Sequence, residues 1–74
     1  MTAREMFEAL GYMYFNHGTS VLYLNDSDDE EYRSIKFDCR EFTFDAVANY
    51  NELLKIDLEL FDAIQTQMRE WRWI

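Results

Sequence analysis

The chain is poor in the residues that build several kinds of functional site. It has one cysteine, Cys39, which excludes an intrachain disulfide and a cysteine-rich zinc site and fits a reducing compartment. With one histidine and two glycines it contains neither a paired-histidine metal motif nor a glycine-rich phosphate loop. It has no proline, and no apolar run approaches the roughly 18 residues of a membrane span.

Basic residues are also scarce. Seven Lys and Arg stand against fifteen Asp and Glu, which gives a formal charge of -8. The whole excess lies between residues 26 and 62, where twelve acids meet four bases. Because such a charge repels nucleic acid and anionic lipid, we expect no direct binding to either and a basic protein as partner.

Length and composition predict a single folded domain over residues 1–74. A chain of 74 residues has room for one core, and 49% hydrophobic and 18% aromatic residues are far more than a disordered acidic tail would carry. No apolar signal core follows Met1, so we expect an unexported, cytoplasmic protein.

The first third of the chain predicts a helix followed by a hairpin. Thr2 and Glu5 have capping-box spacing and Gly11 favours a helix stop, which predicts a helix over residues 3–10. The β-prone runs 12–15 and 21–24 flank turn residues and predict a hairpin. The acidic run from 26 to 31 has nothing apolar to bury and predicts an exposed loop.

The remainder predicts a second hairpin and a longer helix. Ile35 and Phe37 alternate with charged residues, as do Phe42 and Phe44, and Cys39-Arg40 suggests a tight turn between them. Residues 46–56 are interpreted as a strand extension plus a turn, or as an additional helical turn capped by Asn49 with Glu52.

Helical phase places an apolar stripe along the C-terminal segment, with Asp57 inside it. We interpret Asp57 as an N-cap, because a carboxylate is costly to bury, and expect the helix over 58–72. The predicted fold class is α+β: a short N-terminal helix, two β-hairpins forming an antiparallel sheet, and a long C-terminal helix packed on one face.

The sequence contains no recognisable catalytic arrangement. His17 lies beside Gly18 in a predicted turn, and Cys39 has no histidine near it in the sequence. We therefore expect no enzymatic activity, no cofactor and no metal site.

The candidate partner-binding residues are acidic. On the predicted strands three acids lie on the face opposite the phenylalanines. Several carboxylates could therefore share one rigid surface, and that surface could occupy the Lys- and Arg-lined groove in which another protein binds nucleic acid. The alternative is that the acids serve only solubility. The candidates are the loop acids Asp26, Asp28, Asp29, Glu30 and Glu31, the strand acids Asp38, Glu41 and Asp45, and Tyr32 as an aromatic anchor.

The C-terminal tryptophans leave a second hypothesis open. Trp71 fits the apolar stripe, whereas Trp73 points about 200° away from it on a helix. Trp73 would then pack back over the hairpins or anchor a partner or a second copy of the chain. The alternative function is accordingly a structural module that self-associates, as a homodimer, through an aromatic surface.

Several segments at both ends and in the middle of the chain form a recognisable pattern. They are Ala3-Arg4-Glu5-Met6-Phe7, Leu10-Gly11-Tyr12, Ile35 to Asp38, Ile56 to Leu60, Ile64, Gln67-Met68, Glu70 and Trp73-Ile74. This pattern resembles small, functionally uncharacterised proteins carried by phages and prophages of Gram-positive bacteria. Where those proteins have Leu-Gly before the final tryptophan, this chain has Trp71-Arg72.

The resemblance implies a role in the host bacterial cytoplasm. Small acidic phage proteins include DNA-mimic inhibitors of host defence, such as certain anti-CRISPR proteins. The leading hypothesis is a non-enzymatic inhibitor that docks acidic residues into the nucleic-acid groove of a basic host nuclease, such as the PAM-reading or guide-holding cleft of a CRISPR effector.

Overall fold

The computed structural model describes residues 1–28, 31–49 and 52–74. The described residues form an antiparallel sheet of five strands in the order β1-β2-β3-β4-β5 and two helices, which confirms the α+β class. Phe7 of the first helix and Ile64 of the second belong to one core cluster, so both helices pack on the same face of the sheet. The elements are α1 (Ala3–Ala9), β1 (Met13–Asn16), β2 (Ser20–Asp28), β3 (Glu31–Asp38), β4 (Thr43–Ala48), β5 (Glu52–Leu53) and α2 (Leu58–Glu70).

Helix α1 begins where its sequence predicts and ends at Ala9, one residue before the predicted end. The Thr2 hydroxyl accepts from the Glu5 backbone N–H at 3.2 Å, and Glu5 Oε1 accepts from the Thr2 N–H at 2.9 Å, which completes the capping box. Gly11 takes φ 94°, and a Cβ there would lie 3.1 Å from the Asn25 amide nitrogen. The glycine therefore allows both the helix stop and the close approach of β2.

Helix α2 begins where the sequence predicts. Asp57 Oδ1 accepts from the Leu60 N–H at 2.9 Å, so the carboxylate inside the apolar stripe is the N-cap. The helix ends at Glu70, two residues before the predicted end. None of the helices within the described ranges is long and apolar enough to cross a membrane.

The stop of α2 is made without glycine. Arg72 takes φ 61°, its N–H donates to the Arg69 carbonyl at 3.0 Å, and the Trp73 N–H donates to the Met68 carbonyl at 2.8 Å. These two bonds are a Schellman motif, in which glycine normally occupies the left-handed position. Arg72 thus makes the helix stop in a left-handed conformation, at the cost of backbone strain.

The predicted loop at 26–31 is wrong for the residues that are described. Strand β2 continues to Asp28 and β3 starts at Glu31, and these two residues pair across the strands, with a register irregularity between Asn25 and Asp28. Loop composition failed here because β2 and β3 form a long hairpin that extends beyond the core. Asp29 and Glu30 lie outside the described residues.

The turn between β3 and β4 also differs from the prediction. It spans 39–42, and Phe42 lies in it with φ 58° and a 66% exposed side chain instead of alternating into the sheet. Asp38 Oδ1 accepts from the N–H groups of Arg40 (2.9 Å) and Glu41 (3.1 Å), and the Phe42 N–H donates to the Asp38 carbonyl. These bonds set a four-residue turn that a two-residue connection could not make.

The segment 46–56 follows the strand interpretation. Strand β4 extends to Ala48, Asn49 turns the chain at φ 46°, and β5 pairs with the end of β4. Glu52 belongs to β5, so the alternative helical turn capped by Asn49 with Glu52 does not form.

Tyr23 of β2 lies at the centre of the core. Its ring stacks on Phe7 of α1, with ring centroids 3.8 Å apart, and contacts Phe37 of β3 edge to face. Its hydroxyl donates to Gln67 Oε1 of α2 at 2.5 Å. Both hydrogen-bonding side chains are buried, and burial raises the pKa of the Tyr23 phenol above its ordinary range.

Removing one partner of the Tyr23–Gln67 hydrogen bond should lower the free energy of unfolding more than removing both partners. Tyr23→Phe leaves the Gln67 oxygen buried without a donor, and we expect a loss of about 1–3 kcal/mol in the free energy of unfolding. Adding Gln67→Leu should recover part of that loss, since no polar atom then remains unpaired. Urea denaturation followed by tryptophan fluorescence measures both, with Tyr14→Phe on the neighbouring strand as the control. A Tyr23→Phe chain as stable as the parent would contradict the assignment.

Relieving the left-handed backbone at the end of α2 should stabilise the fold. We expect Arg72→Gly to raise the free energy of unfolding by about 1 kcal/mol, because glycine adopts positive φ without the Cβ penalty. The matched control is Arg69→Gly inside the helix, which should lower it by about 1 kcal/mol. Equal effects of the two glycines in urea denaturation would contradict the strain at Arg72.

Candidate protein-binding surface

In the part of the chain that the structure describes, one face of the sheet is left uncovered, because both helices pack on the other. The strand register brings two rows of side chains onto this uncovered side, which we call the open face. The first row crosses all five strands and consists of Met13, Leu24, Ser34, Val47 and Leu53. The second row consists of Phe15, Leu22, Lys36 and Asp45.

The centre of the open face is apolar and accessible. Leu53 is 90% exposed, Met13 58% and Phe15 37%. Leu22, Leu24 and Val47 are half-buried, and the small Ser34 between Leu24 and Val47 is buried. Contiguous apolar surface of this kind on a small protein is typical of an interaction site.

Carboxylates flank this apolar centre. Asp38 and Asp45 lie on the side opposite Phe37 and Phe44, as the alternation predicts, and Glu41 is exposed in the β3–β4 turn. Asp26 is exposed at the far end of β2. Asp38 pairs with Ser20, six residues along β2 from Asp26, so the two acids are about 20 Å apart.

The other predicted partner-binding residues are less defined. Tyr32 is half-buried, and its N–H donates to Asn49 Oδ1 at 3.1 Å. The backbones of Asp28 and Glu31 pair at the end of the β2–β3 hairpin, beside Asp26. Their side chains, like Asp29 and Glu30 altogether, lie outside the described part of the chain.

The acidic excess is divided between the two sides of the molecule. Glu59 and Asp62 are exposed on α2 and point away from the sheet, on the side opposite the open face. Glu70 Oε2 accepts from the Ala3 N–H at 2.7 Å, so this carboxylate joins the end of α2 to the start of α1. The acids whose side chains are described therefore do not form one continuous surface.

Trp73 packs within the chain. Its ring contacts Phe37 and Phe42 edge to face, with ring centroids 6.1 and 5.5 Å away, and lies 5.1 Å from the ring of Trp71. Of the two arrangements left open by the sequence, the structure has the one in which Trp73 folds back over the hairpins. The exposed apolar groups that remain at this end are Phe42 and Ile74, each 66% exposed.

The sequence interpretation missed the apolar centre of the open face. The available signal was the uninterrupted run Val21-Leu22-Tyr23-Leu24, in which residues of both parities are apolar. A strand with one solvated face alternates, so such a run indicates that both faces contact something apolar.

Within the described ranges, no three histidine, cysteine, aspartate or glutamate side chains are grouped closely enough to hold a metal ion. Comparison with protein-family profiles, with curated proteins and with solved structures finds no match for this chain.

The Asp38 carboxylate should stabilise the β3–β4 turn in a pH-dependent way. The Arg40 N–H, followed by the Glu41 N–H, lowers the pKa of Asp38 in the folded protein. Stability from this group is therefore present above the ordinary carboxyl pKa of about 3.9 and is lost as the pH falls through the lower, folded value. In urea denaturation, Asp38→Ala should lower the midpoint at pH 7, and the difference from the parent chain should shrink in acid.

Asp45→Ala is the matched control, since it removes an exposed carboxylate of the adjacent strand outside the turn. A difference between Asp38→Ala and the parent chain that stays constant or grows in acid would contradict the role of the ionised carboxylate.

Proposed function

We propose that this chain is a non-enzymatic inhibitor that binds, through its open face, a basic nucleic-acid-binding protein of the host and blocks that protein's nucleic-acid groove. The observation that carries the proposal is an uncovered apolar sheet face flanked by the carboxylates of Asp26, Asp38 and Asp45. An apolar centre with a polar rim is the usual anatomy of a protein interface.

The size of the molecule is compatible with such an interface. Its two larger extents are 34 and 24 Å, which give a projected area of about 800 Å². A stable protein complex buries about 800 Å² on each partner. One whole face is therefore enough for a specific complex, whereas a small patch on it would not be.

The charge of the face favours a basic partner over a second copy. Among the described side chains of the open face and its ends, two bases, Lys36 and Arg40, stand against four acids, Asp26, Asp38, Glu41 and Asp45. Two chains of charge -8 would repel each other, whereas a Lys- and Arg-lined groove would attract these acids and steer association. The alternative function was self-association with Trp73 as the contact between copies. Trp73 instead packs on Phe37 and Phe42 of its own chain, which removes that contact.

The arrangement supports a mixed mode of binding. The acids at the two ends of the face can pair with cations on both sides of a groove, while the apolar rows contact its floor. Attraction between exposed charges is screened by salt and burial of apolar surface is not. The resemblance to phage proteins makes CRISPR effector nucleases the first candidate targets, by analogy of source.

The proposal is tested by inhibition and binding assays with purified CRISPR effector nucleases and with nucleases that the tagged chain captures from a Gram-positive lysate. We expect duplex DNA to compete with the chain for the target. Met13→Ser with Leu53→Ser tests the apolar centre, and Asp26→Asn with Asp45→Asn tests the acids. Each pair should weaken binding at least about tenfold, or about 1.4 kcal/mol.

The matched control is Glu59→Gln with Asp62→Asn, which removes the same charge from the helix side. Its affinity should stay within about twofold of the parent chain, because these acids point away from the open face. An equal loss of affinity in the control would mean that only net charge matters for binding. A target that binds the chain and DNA simultaneously would rule out occupation of the groove.

A further inference from the structure

The outer edge of β1 offers backbone groups to a further strand. Strand β1 is the first strand of the sheet, and within the described ranges β2 is the one strand that pairs with it. The His17 N–H donates to the Ser20 carbonyl at 2.9 Å, which sets the alternation of the β1–β2 ladder. By that alternation Phe15 bonds to β2, whereas Tyr14 and Asn16 direct their backbone N–H and C=O groups away from it.

This edge lacks the features that usually keep sheet edges from pairing. Natural proteins protect an edge with charges, proline, a bulge or a very short strand. Strand β1 consists of Met13-Tyr14-Phe15-Asn16, without charge or proline, and it pairs with β2 in one continuous register. At the opposite edge, β5 has only two residues, one of them Glu52, and the part of β4 that β5 leaves uncovered carries Asp45.

The strand at this edge is held in its extended conformation. The guanidinium carbon of Arg4 lies 4.4 Å from the centroid of the Tyr14 ring, and the Tyr23 ring lies 5.5 Å away on the core side. Asn16 Oδ1 accepts from the Gly18 N–H at 2.8 Å, so this side chain is used within its own turn. A strand that is already ordered pays little conformational entropy when another strand pairs with it.

The distribution of charge favours a second copy as the occupant of this edge. Residues 1–25 contain two acids and one base, a net charge of -1, and the rest of the -8 lies from residue 26 onward. Strand β4 is three strand spacings from β1, about 14 Å, which is beyond the roughly 8 Å Debye length at physiological salt. Strand β1 itself has no carboxylate that would select a basic partner.

We propose that two copies of this chain pair antiparallel along β1, about a two-fold axis at Phe15. Tyr14 of each copy then exchanges two backbone hydrogen bonds with Asn16 of the other, which gives four bonds in all. The two Phe15 side chains lie directly opposite each other, at the close spacing of a non-hydrogen-bonded pair. The open faces of both copies lie on the same side of the joined sheet and stay accessible, so the pairing does not rest on the function proposed above.

The pairing is expected to be reversible. An edge of four residues is about 14 Å long, which buries much less than the roughly 800 Å² per partner of a standard interface. We therefore expect a dissociation constant on the order of 100 µM. Salt should strengthen the pairing, because it screens the repulsion between two chains of charge -8. The attraction of the open face to a basic protein should instead weaken with salt.

The test is analytical ultracentrifugation of the full chain from about 20 µM to about 1 mM, at low and high salt. Phe15→Glu should weaken the dimer at least about tenfold, because it places two carboxylates opposite each other at the axis. The matched control is Leu53→Glu, which adds the same charge at the far edge of the open face, where Leu53 is 90% exposed. It should leave the dissociation constant within about threefold of the parent value.

A second variant removes the backbone donor and keeps every side chain. In a chemically synthesised chain, N-methylation of the Tyr14 amide blocks an N–H that points away from β2, so the fold should persist by NMR and the dimer should be lost. The proposal would be overturned by a parent chain that stays monomeric at about 1 mM, by equal effects of Phe15→Glu and Leu53→Glu, or by an N-methylated chain that dimerises like the parent. Nuclease inhibition by the N-methylated monomer reports on the open face separately, so the two proposals fail independently.

Discussion

The contacts of one side chain, Tyr23, join the three parts of the molecule. Its ring stacks on Phe7 of α1, its strand places it beside Phe37, and its hydroxyl donates to Gln67 of α2. A chain of 74 residues has a small apolar core, and large rings that bury about 150–250 Å² each compensate for its length. Because this polar bond is buried with both partners satisfied, it also fixes the position of α2 on the sheet.

The small number of residues also explains why one face of the sheet is open. A helix about 10 Å across on one sheet accounts for the smallest molecular extent of 19 Å, so the described residues form two layers and no third. The helices that 74 residues can supply both pack on one side, so Leu22 and Leu24 remain on the other. Stability requires only the covered face, and the apolar character of the second face is the basis of the partner that we propose.

The sequence predicted the parts of the fold that depend on local chemistry. Both helix starts followed from side chains that accept backbone N–H groups, Thr2 and Asp57, and the first hairpin followed from its turn residues. These features need few residues close in sequence, so composition and spacing are sufficient. The inward phase of Phe37 and the outward phase of Asp38 and Asp45 followed in the same way from strand alternation.

The features that depend on tertiary pairing were missed. The Asp28–Glu31 pair extends a hairpin whose stability comes from β2 and β3 as a whole, so its acidic composition was misleading. Phe42 has the composition of a strand residue, but the bonds accepted by Asp38 place it in a turn at positive φ. Arg72 adopts the conformation of a glycine because the Schellman bonds and the packing of Trp73 on Phe37 require the chain to reverse there. For the β2–β3 pairing and for Arg72 a non-local contact outweighs a local preference, whereas the turn at Phe42 is made by local bonds that the strand-like composition does not reveal.

The division of charge between the two sides changes the physical meaning of the acidic composition. If all carboxylates lay on one face, electrostatic attraction alone could support mimicry of a nucleic acid, but Glu59 and Asp62 lie on the helix side. The three aspartates described at the open face are spread over about 20 Å, at a lower density than the one charge per roughly 1.7 Å of duplex DNA. The described part of this face therefore does not reproduce the charge density of DNA. In the complex that we propose, specific affinity would then come mainly from the apolar rows, and the aspartates would select a basic partner and exclude a second acidic chain.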